Sequence, residues 1–415
     1  MKLAQDVQLH LLKTSQFKTN HITFRFSGEL DSKTLARRVL VAQMLATANN
    51  VYPTSQTFRE KLANLYGAQF STCISKKGKV HIVDIDISFV SDKFILEGKS
   101  ILGEIIHFLR AALFKPLISV EHYQSKSFDL EKENLMRYLQ SDKEDSFYYS
   151  HLELQKLFFK DEVLKYSKYA TAELVSAENS YTTYQEFQKM LKEDQIDIFV
   201  LGDFDEYQVL QSIEEFPLED RQKTLIFDYQ QEYSKIVQEK VEQQENQQSL
   251  LQLGYHFPIA YGDHNYYALL VFNGLLGVFP HSKLFTEVRE KRRLAYNIGS
   301  YFDIYTGLLQ VYTGLDSNKR QQAFQLITKQ FNDLKLGRFS SHLLDQTKKM
   351  LINNMQLFED NPKNRIEMHY NHCVFGDKCL ELKEWIDRVD KVSKDDIVKA
   401  ANLIKLQSIY FLEGE

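Results

Sequence analysis

A chain of 415 residues, 43 % hydrophobic and 26 % charged, can bury a full core, which excludes a mostly disordered protein. Its 51 Lys and Arg against 56 Asp and Glu leave a net charge of −5, so general nucleic-acid binding is disfavoured. Three cysteines exclude a disulfide framework and fit a reducing compartment.

The chain opens Met1-Lys2-Leu3-Ala4-Gln5-Asp6, with no apolar run before a small-residue cleavage site, so no secretory signal is expected. Residues 22–27 read as a strand and residues 35–46 as a helix. Val83, Ile85, Ile87 and Phe89 alternate with Asp84, Asp86 and Ser88, which predicts a half-buried strand. Residues 101–114 are the best membrane candidate, but they carry Glu104, His107 and Arg110 and are too short to span a bilayer. A soluble cytoplasmic protein without a membrane partner is expected. Residues 128–139 read as a helix and 196–201 as a strand. Only 16 Gly and 6 Pro interrupt the chain, so long helices and regular strands should dominate. The fold class expected is α+β, with antiparallel sheets packed by helices.

The second half repeats the first. Tyr52-Pro53-Thr54-Ser55-Gln56-Thr57-Phe58-Arg59-Glu60 matches Phe279-Pro280-His281-Ser282-Lys283-Leu284-Phe285-Thr286-Glu287 without a gap, at an offset of 227. At the same offset Ala68 meets Ala295. Ile198-Phe199-Val200-Leu201 is echoed by Ile409-Tyr410-Phe411-Leu412. We therefore expect two homologous domains, 1–217 and 241–415, joined by a linker over 218–240. The polar run Gln243-Gln244-Glu245-Asn246-Gln247-Gln248 belongs on the surface, either in the join or on an exposed strand.

Several chemistries lack their motifs. There is no phosphate-binding loop, no Gly-x-Gly-x-x-Gly turn and no Gly-x-Ser-x-Gly elbow. None of the 12 histidines forms His-Glu-x-x-His or His-x-x-Glu-His, the spacings that put two imidazoles and a carboxylate around zinc. His369, His372, Cys373 and Cys379 invite a metal assignment, since His369 and Cys373 share a helix face. Their spacing matches no standard zinc module, and packed cysteines with two ordinary histidines explain them as well.

The informative stretch is Ser282-Lys283-Leu284-Phe285-Thr286-Glu287-Val288-Arg289-Glu290-Lys291-Arg292-Arg293-Leu294-Ala295-Tyr296, read as a helix running into a strand at Leu294 to Tyr296. It resembles the M16 zinc peptidases, the group of pitrilysin, insulin-degrading enzyme and the mitochondrial processing peptidase, in their bacterial two-domain form. Members carry an Arg and a Tyr seven residues apart in the C-terminal domain, and Arg289 and Tyr296 match that pair. The resemblance extends along the chain through Phe17-Lys18-Thr19-Asn20, Leu65-Tyr66-Gly67-Ala68, Gly202-Asp203-Phe204 and the stretch from Ser249 to Tyr255. It ends with Trp385-Ile386 and Val392-Ser393-Lys394-Asp395-Asp396-Ile397.

Active members carry His-x-x-Glu-His shortly before the Tyr-Pro-Thr phrase. Counted back from Tyr52-Pro53, those positions fall on Val39, Leu40, Val41, Ala42 and Gln43. Alanine cannot accept a proton and valine has no lone pair for zinc. Glu131 and Glu133 lie in the region resembling the helix of the third ligand, where a lone carboxylate would not hold the metal.

The resemblance therefore implies a chain that binds no metal itself, with zinc expected in a homologous partner bearing an intact His-x-x-Glu-His. In such a heterodimer Arg289 and Tyr296 would act in trans on the peptide substrate. Attack on a peptide carbonyl develops an oxyanion, to which a guanidinium and a phenol hydroxyl can donate. From the residues alone, the run Arg289 to Arg293 is equally a solvated helix end and Tyr296 one of 23 packed tyrosines. Arg292 and Arg293 could meet an acidic substrate or partner. The alternative functions are a stand-alone pseudo-peptidase that binds peptides without cleaving them, possible also as a homodimer, and a structural subunit of a larger complex.

Overall fold

The computed structural model describes residues 1–95, 100–245 and 247–414; Asn246 and Glu415, both within the second predicted domain, lie outside the described residues. Two compact units form. One contains Met1–Ser141 and Tyr166–Ile226, the other Asp142–Lys165 and Phe227–Glu415.

The strands of the first unit are β1 (Lys2–Ala4), β2 (Val7–Lys13), β3 (Thr19–Glu29), β4 (Gln69–Lys77), β5 (Val80–Val90), β6 (Ile118–Ser119), β7 (His122–Tyr123) and β8 (Gln195–Gly202). Six of them form a sheet in the order β1-β2-β8-β3-β5-β4, and β6 pairs with β7. Helices follow as α1 (Ser32–Leu45), α2 (Ser55–Asn64), α3 (Leu102–Phe114), α4 (Ser125–Glu144) and α5 (Ser146–Phe158), then α6 (Ala172–Ser176), α7 (Ser180–Glu193) and α8 (Glu206–Glu214). Of these, α5 belongs to the second unit.

The second unit adds β9 (Gln238–Gln244), β10 (Ser249–His256), β11 (Asn297–Asp303), β12 (Leu308–Leu315) and β13 (Lys405–Gly414). Their order is β11-β12-β10-β13-β9. Its further helices are α9 (Tyr266–Asn273), α10 (Arg320–Lys335), α11 (Ser341–Glu359), α12 (Pro362–Phe375), α13 (Leu382–Lys391) and α14 (Lys394–Leu403). Two stretches, Gly274–Val278 and Phe285–Lys291, are wound as π-helix. The last two helices fall where the Trp385 and Val392 phrases lie, and Ser393 starts α14 with a reciprocal capping box to Asp396.

The two sheets share one plan, in keeping with the repeat. From β2 the first runs β2-β8-β3-β5-β4, and from β9 the second runs β9-β13-β10-β12-β11. In each, the first pair is parallel and the remaining pairs are antiparallel. The turns agree as well. Tyr66 and Arg293, 227 apart, are both left-handed, with φ 56° and 53°. Gln243 and Gln244 sit on the edge strand β9, whose residues are exposed or half-buried.

Period-two alternation explains β10. Leu251, Leu253 and Tyr255 join the main core of the second unit, whereas Leu250 packs with Leu154 of α5, Tyr410 and Leu412 on the other face. Polar contacts fasten α5 there. Gln252 Nε2 donates to Ser150 Oγ at 2.8 Å, Gln310 Nε2 to Gln252 Oε1 at 2.7 Å, and Lys240 bridges Glu153 and Glu242 at 2.8 Å each.

The strand at 83–89 differs from its expectation. It forms β5, but Asp84 and Asp86 are buried rather than facing water. Partners on β3 make this tolerable: Arg25 grips Asp84 through two hydrogen bonds of 2.8 and 2.7 Å, and Thr23 Oγ1 donates to Asp86 at 2.6 Å.

A second buried polar cluster joins α1 to β5 and α7. Arg38 Nη1 pairs with Asp194 Oδ2 at 2.7 Å, and its Nε donates to His81 Nδ1 at 3.0 Å. With Nδ1 accepting, His81 Nε2 carries the proton and donates to the Lys168 carbonyl at 3.1 Å. Burial, and then the Arg38 cation, push the His81 pKa down from 6.5 to about 3. Between those values the unfolded chain binds the extra proton. Stability from this group is therefore complete above pH 6.5 and is lost as pH falls toward 3, by about 1.4 kcal/mol per pH unit. Urea denaturation at pH 7 and pH 4.5 should show a smaller loss for His81→Asn than for the wild type; equal losses would refute the assignment.

Candidate functional site

Helix α1 holds the positions aligned with the zinc motif. Asp31 caps its start, accepting from Lys33 N. Val39 and Ala42 are each 1 % exposed, sealed among buried neighbours. Gln43 is half-buried, and its amide Oε1 is shielded from water with no hydrogen-bond partner among the described residues. One neutral amide beside two hydrocarbon side chains does not fit a zinc ion. One turn on, Thr47 Oγ1 lies 3.0 Å from both the Gln43 carbonyl and Glu131 Oε1. Glu131 thus faces α1, while Glu133 pairs with Arg137 at 2.5 Å on the exposed side of α4.

The Arg289 segment is built differently. Leu284 and Val288 are buried and anchor the π-helical stretch Phe285–Lys291, leaving Arg289 half-exposed. Its guanidinium lies over the Phe285 ring, 4.6 Å from the centroid, and Nε is 3.9 Å from Glu290 Oε1. π-Helical turns are uncommon and recur at functional sites. The chain then reverses at Arg293, where the Arg293 N–H donates to the Arg289 carbonyl at 3.1 Å and the Leu294 N–H to that of Val288 at 3.0 Å. This turn displaces the expected strand start: β11 begins at Asn297, not Leu294.

Tyr296 is 60 % exposed just before β11. Its N–H donates to the Gly314 carbonyl at 2.9 Å and its hydroxyl to Asp316 Oδ1 at 2.6 Å. Lys319 holds the other oxygen of Asp316 at 2.6 Å. Lys319 and then Tyr296 keep the Asp316 carboxyl below its usual range, and that hydrogen bond raises the Tyr296 phenol. Arg289 and Tyr296 therefore both reach the surface of the second unit on anchored backbone. Phe285 beneath the arginine and the Asp316–Lys319 pair behind the tyrosine were not legible as site residues. Asp316 is 20 positions from Tyr296 and meets it only through the β11–β12 hairpin.

Two motif phrases converge in the first unit. Asn20 Oδ1 accepts from the Asp203 N–H at 2.8 Å, and Asn20 Nδ2 donates to the Asp203 carbonyl at 3.1 Å. Gly202 carries φ 137°, and a Cβ there would fall 2.1 Å from Asn20 Oδ1, so only glycine fits the clasp. The cysteine–histidine group behaves otherwise. His369 and Cys373 lie side by side on α12, their ligand atoms within 4.8 Å. Cys379 accepts from the Tyr261 hydroxyl at 3.2 Å, and His372 is 3.7 Å from Glu381.

Comparison with known proteins places this geometry. Residues 184–351 match the family described as "Peptidase M16 inactive domain". The Bacillus subtilis (strain 168) protein "Probable inactive metalloprotease YmfF" is 30 % identical over 411 residues, 98 % of this chain and 95 % of the relative. The chain belongs to the M16 peptidase family, as a non-catalytic member. A structure titled as a conserved protein from Enterococcus faecalis V583 superposes on this M16 chain with a TM-score of 0.96 at 36 % identity, covering 100 % of this chain and 98 % of that one. A second B. subtilis protein, "Uncharacterized zinc protease YmxG", is 28 % identical over 155 residues, 37 % of this chain and 38 % of the relative. The α+β architecture expected from sequence is that of this M16 chain, and its α1 carries no catalytic zinc site.

Proposed function

We propose that this M16 chain is the non-catalytic half of a heterodimeric peptidase. A homologous partner with an intact His-x-x-Glu-His supplies the zinc, and this chain presents Arg289 and Tyr296 to the peptide. The observation that carries the reading is a contrast between two sites. Val39 and Ala42 at the zinc positions are apolar and sealed and Gln43 is a neutral amide, whereas Arg289, on the π-helical stretch, and Tyr296, just before β11, both reach the surface. Exposed donors without a metal are useful where another chain brings the metal. The relatives support this, because one organism holds both a protein described as an inactive metalloprotease and another described as a zinc protease.

No helix among the described residues is long and apolar enough to cross a membrane. With only three cysteines in the sequence, the proposed setting is the bacterial cytoplasm. The test is affinity capture of the tagged chain from its own organism, read by mass spectrometry. The reading expects a homologue of similar size bearing His-x-x-Glu-His, in near-equal amount. Recovery of the chain alone would overturn it.

One observation favours the second reading, a pseudo-peptidase that binds or scaffolds without cleaving. The Tyr296 hydroxyl is already engaged by Asp316, so donation to a substrate carbonyl requires an exchange of acceptors.

A further inference from the structure

We propose that the turn at Arg292 and Arg293 is a carboxylate-recognition site, so that the Arg289–Tyr296 surface selects acidic peptide segments. This deepens the reading of Arg289 and Tyr296 as peptide-binding groups and rests on it.

Lys291 is paired with Glu287 at 2.7 Å, Lys319 with Asp316 at 2.6 Å, and Arg289 loosely with Glu290 at 3.9 Å. The local acids are thereby taken up. Arg292 and Arg293 are exposed, and among the described residues neither side chain makes an ion pair or hydrogen bond. Two adjacent unpaired guanidiniums form a cationic island on a chain whose net charge is −5.

Backbone conformation adds to this. Arg293 sits at φ 53°, where glycine or asparagine is the ordinary choice and other residues are strained by about 1 kcal/mol or more. An arginine there places its charge at the apex of a turn whose two backbone hydrogen bonds and buried neighbours, Val288, Leu294 and Ala295, hold it still. A guanidinium fork matches a carboxylate bidentately, and a rigid mount lowers the ordering cost of binding. Two free guanidiniums on one turn can meet one or two anionic groups but not a long run of phosphates, which favours a short acidic peptide segment over a nucleic acid.

The test uses the full chain and fluorescence anisotropy at low salt. One labelled decapeptide carries a central Glu-Glu, a twin carries Gln-Gln, and each is made with a free and an amidated C-terminus. The Glu-Glu peptide is expected to bind about tenfold tighter than its twin, an advantage abolished in the Arg292→Gln/Arg293→Gly double variant and by high salt. Glycine suits the left-handed position, so that variant should melt no lower than the wild type. Arg289→Ala should weaken both twins together. If only the free C-terminus matters, the carboxylate recognised is terminal rather than side-chain, and the selection of acidic segments is overturned. Equal affinity of the twins, or an advantage that survives in the double variant, overturns the proposal and leaves peptide binding standing. Equal binding of a single-stranded oligonucleotide overturns it as a general anion site. Absence of binding by any peptide also overturns it, whereas the partner reading is decided separately by the capture experiment.

Discussion

Arg289→Ala and Tyr296→Phe are each expected to lower peptide hydrolysis by the proposed heterodimer, once reconstituted, about a hundred- to a thousandfold, the usual effect of deleting one donor to a developing oxyanion. Both changes are mild for the fold. Arg289 loses only its stacking over Phe285 and a long contact to Glu290. Tyr296 is mostly exposed, and phenylalanine removes only the hydroxyl that bonds Asp316. Melting temperatures should therefore stay close to wild type while turnover collapses. The fall should appear in kcat more than in KM, because a donor to the transition state is spent there. Normal hydrolysis by both variants would remove the donor role and leave the pair as an inherited remnant.

Arg38→Met should be the most damaging single change to the fold, destabilising the first unit by about 3–5 kcal/mol, the usual cost of leaving one partner of a buried ion pair alone. Arg38 pairs with Asp194, donates to His81 and reaches the carbonyls of Phe26 and His81. Burial already pushes the Asp194 carboxyl up, with Arg38 opposing it. Methionine fills similar volume without the charge, so the carboxylate would be left without its cation. Urea denaturation followed by circular dichroism reads the loss. A change below about 1 kcal/mol would show that the cluster relaxes at little cost.

Much of the site was legible because it is written locally. The Arg289–Tyr296 phrase, the Tyr-Pro-Thr phrase and the loss of imidazoles at Val39 and Gln43 are each contained in a few consecutive residues. The repeat is equally local, and Tyr66 and Arg293, at its offset of 227, are both left-handed. The helix type was not legible. Apolar spacing over Leu284, Phe285 and Val288 suits an α-turn and a π-turn alike, so the π winding of Phe285–Lys291 is not written in the spacing. Strand β5 shows the same limit. Alternation assigned Asp84 and Asp86 to a polar face, but a polar face can meet water or a partner. Arg25 and Thr23 became partners only once β3 and β5 were in register.

From sequence alone came the M16 likeness, the two-half plan and the absence of zinc ligands on α1, since each depends on residue identity at short spacing. Tertiary structure alone decided that α5, from the first half of the chain, packs on the second sheet through Leu154, Ser150 and Glu153. It also decided that Asp316 holds the Tyr296 hydroxyl and that Arg38 closes a buried cluster with His81 and Asp194. These contacts join residues between 20 and 258 positions apart, the longest being Leu154 with Leu412. Nothing in their local neighbourhood names the partner, because the pairing is fixed by strand register and helix packing rather than by any adjacent residue.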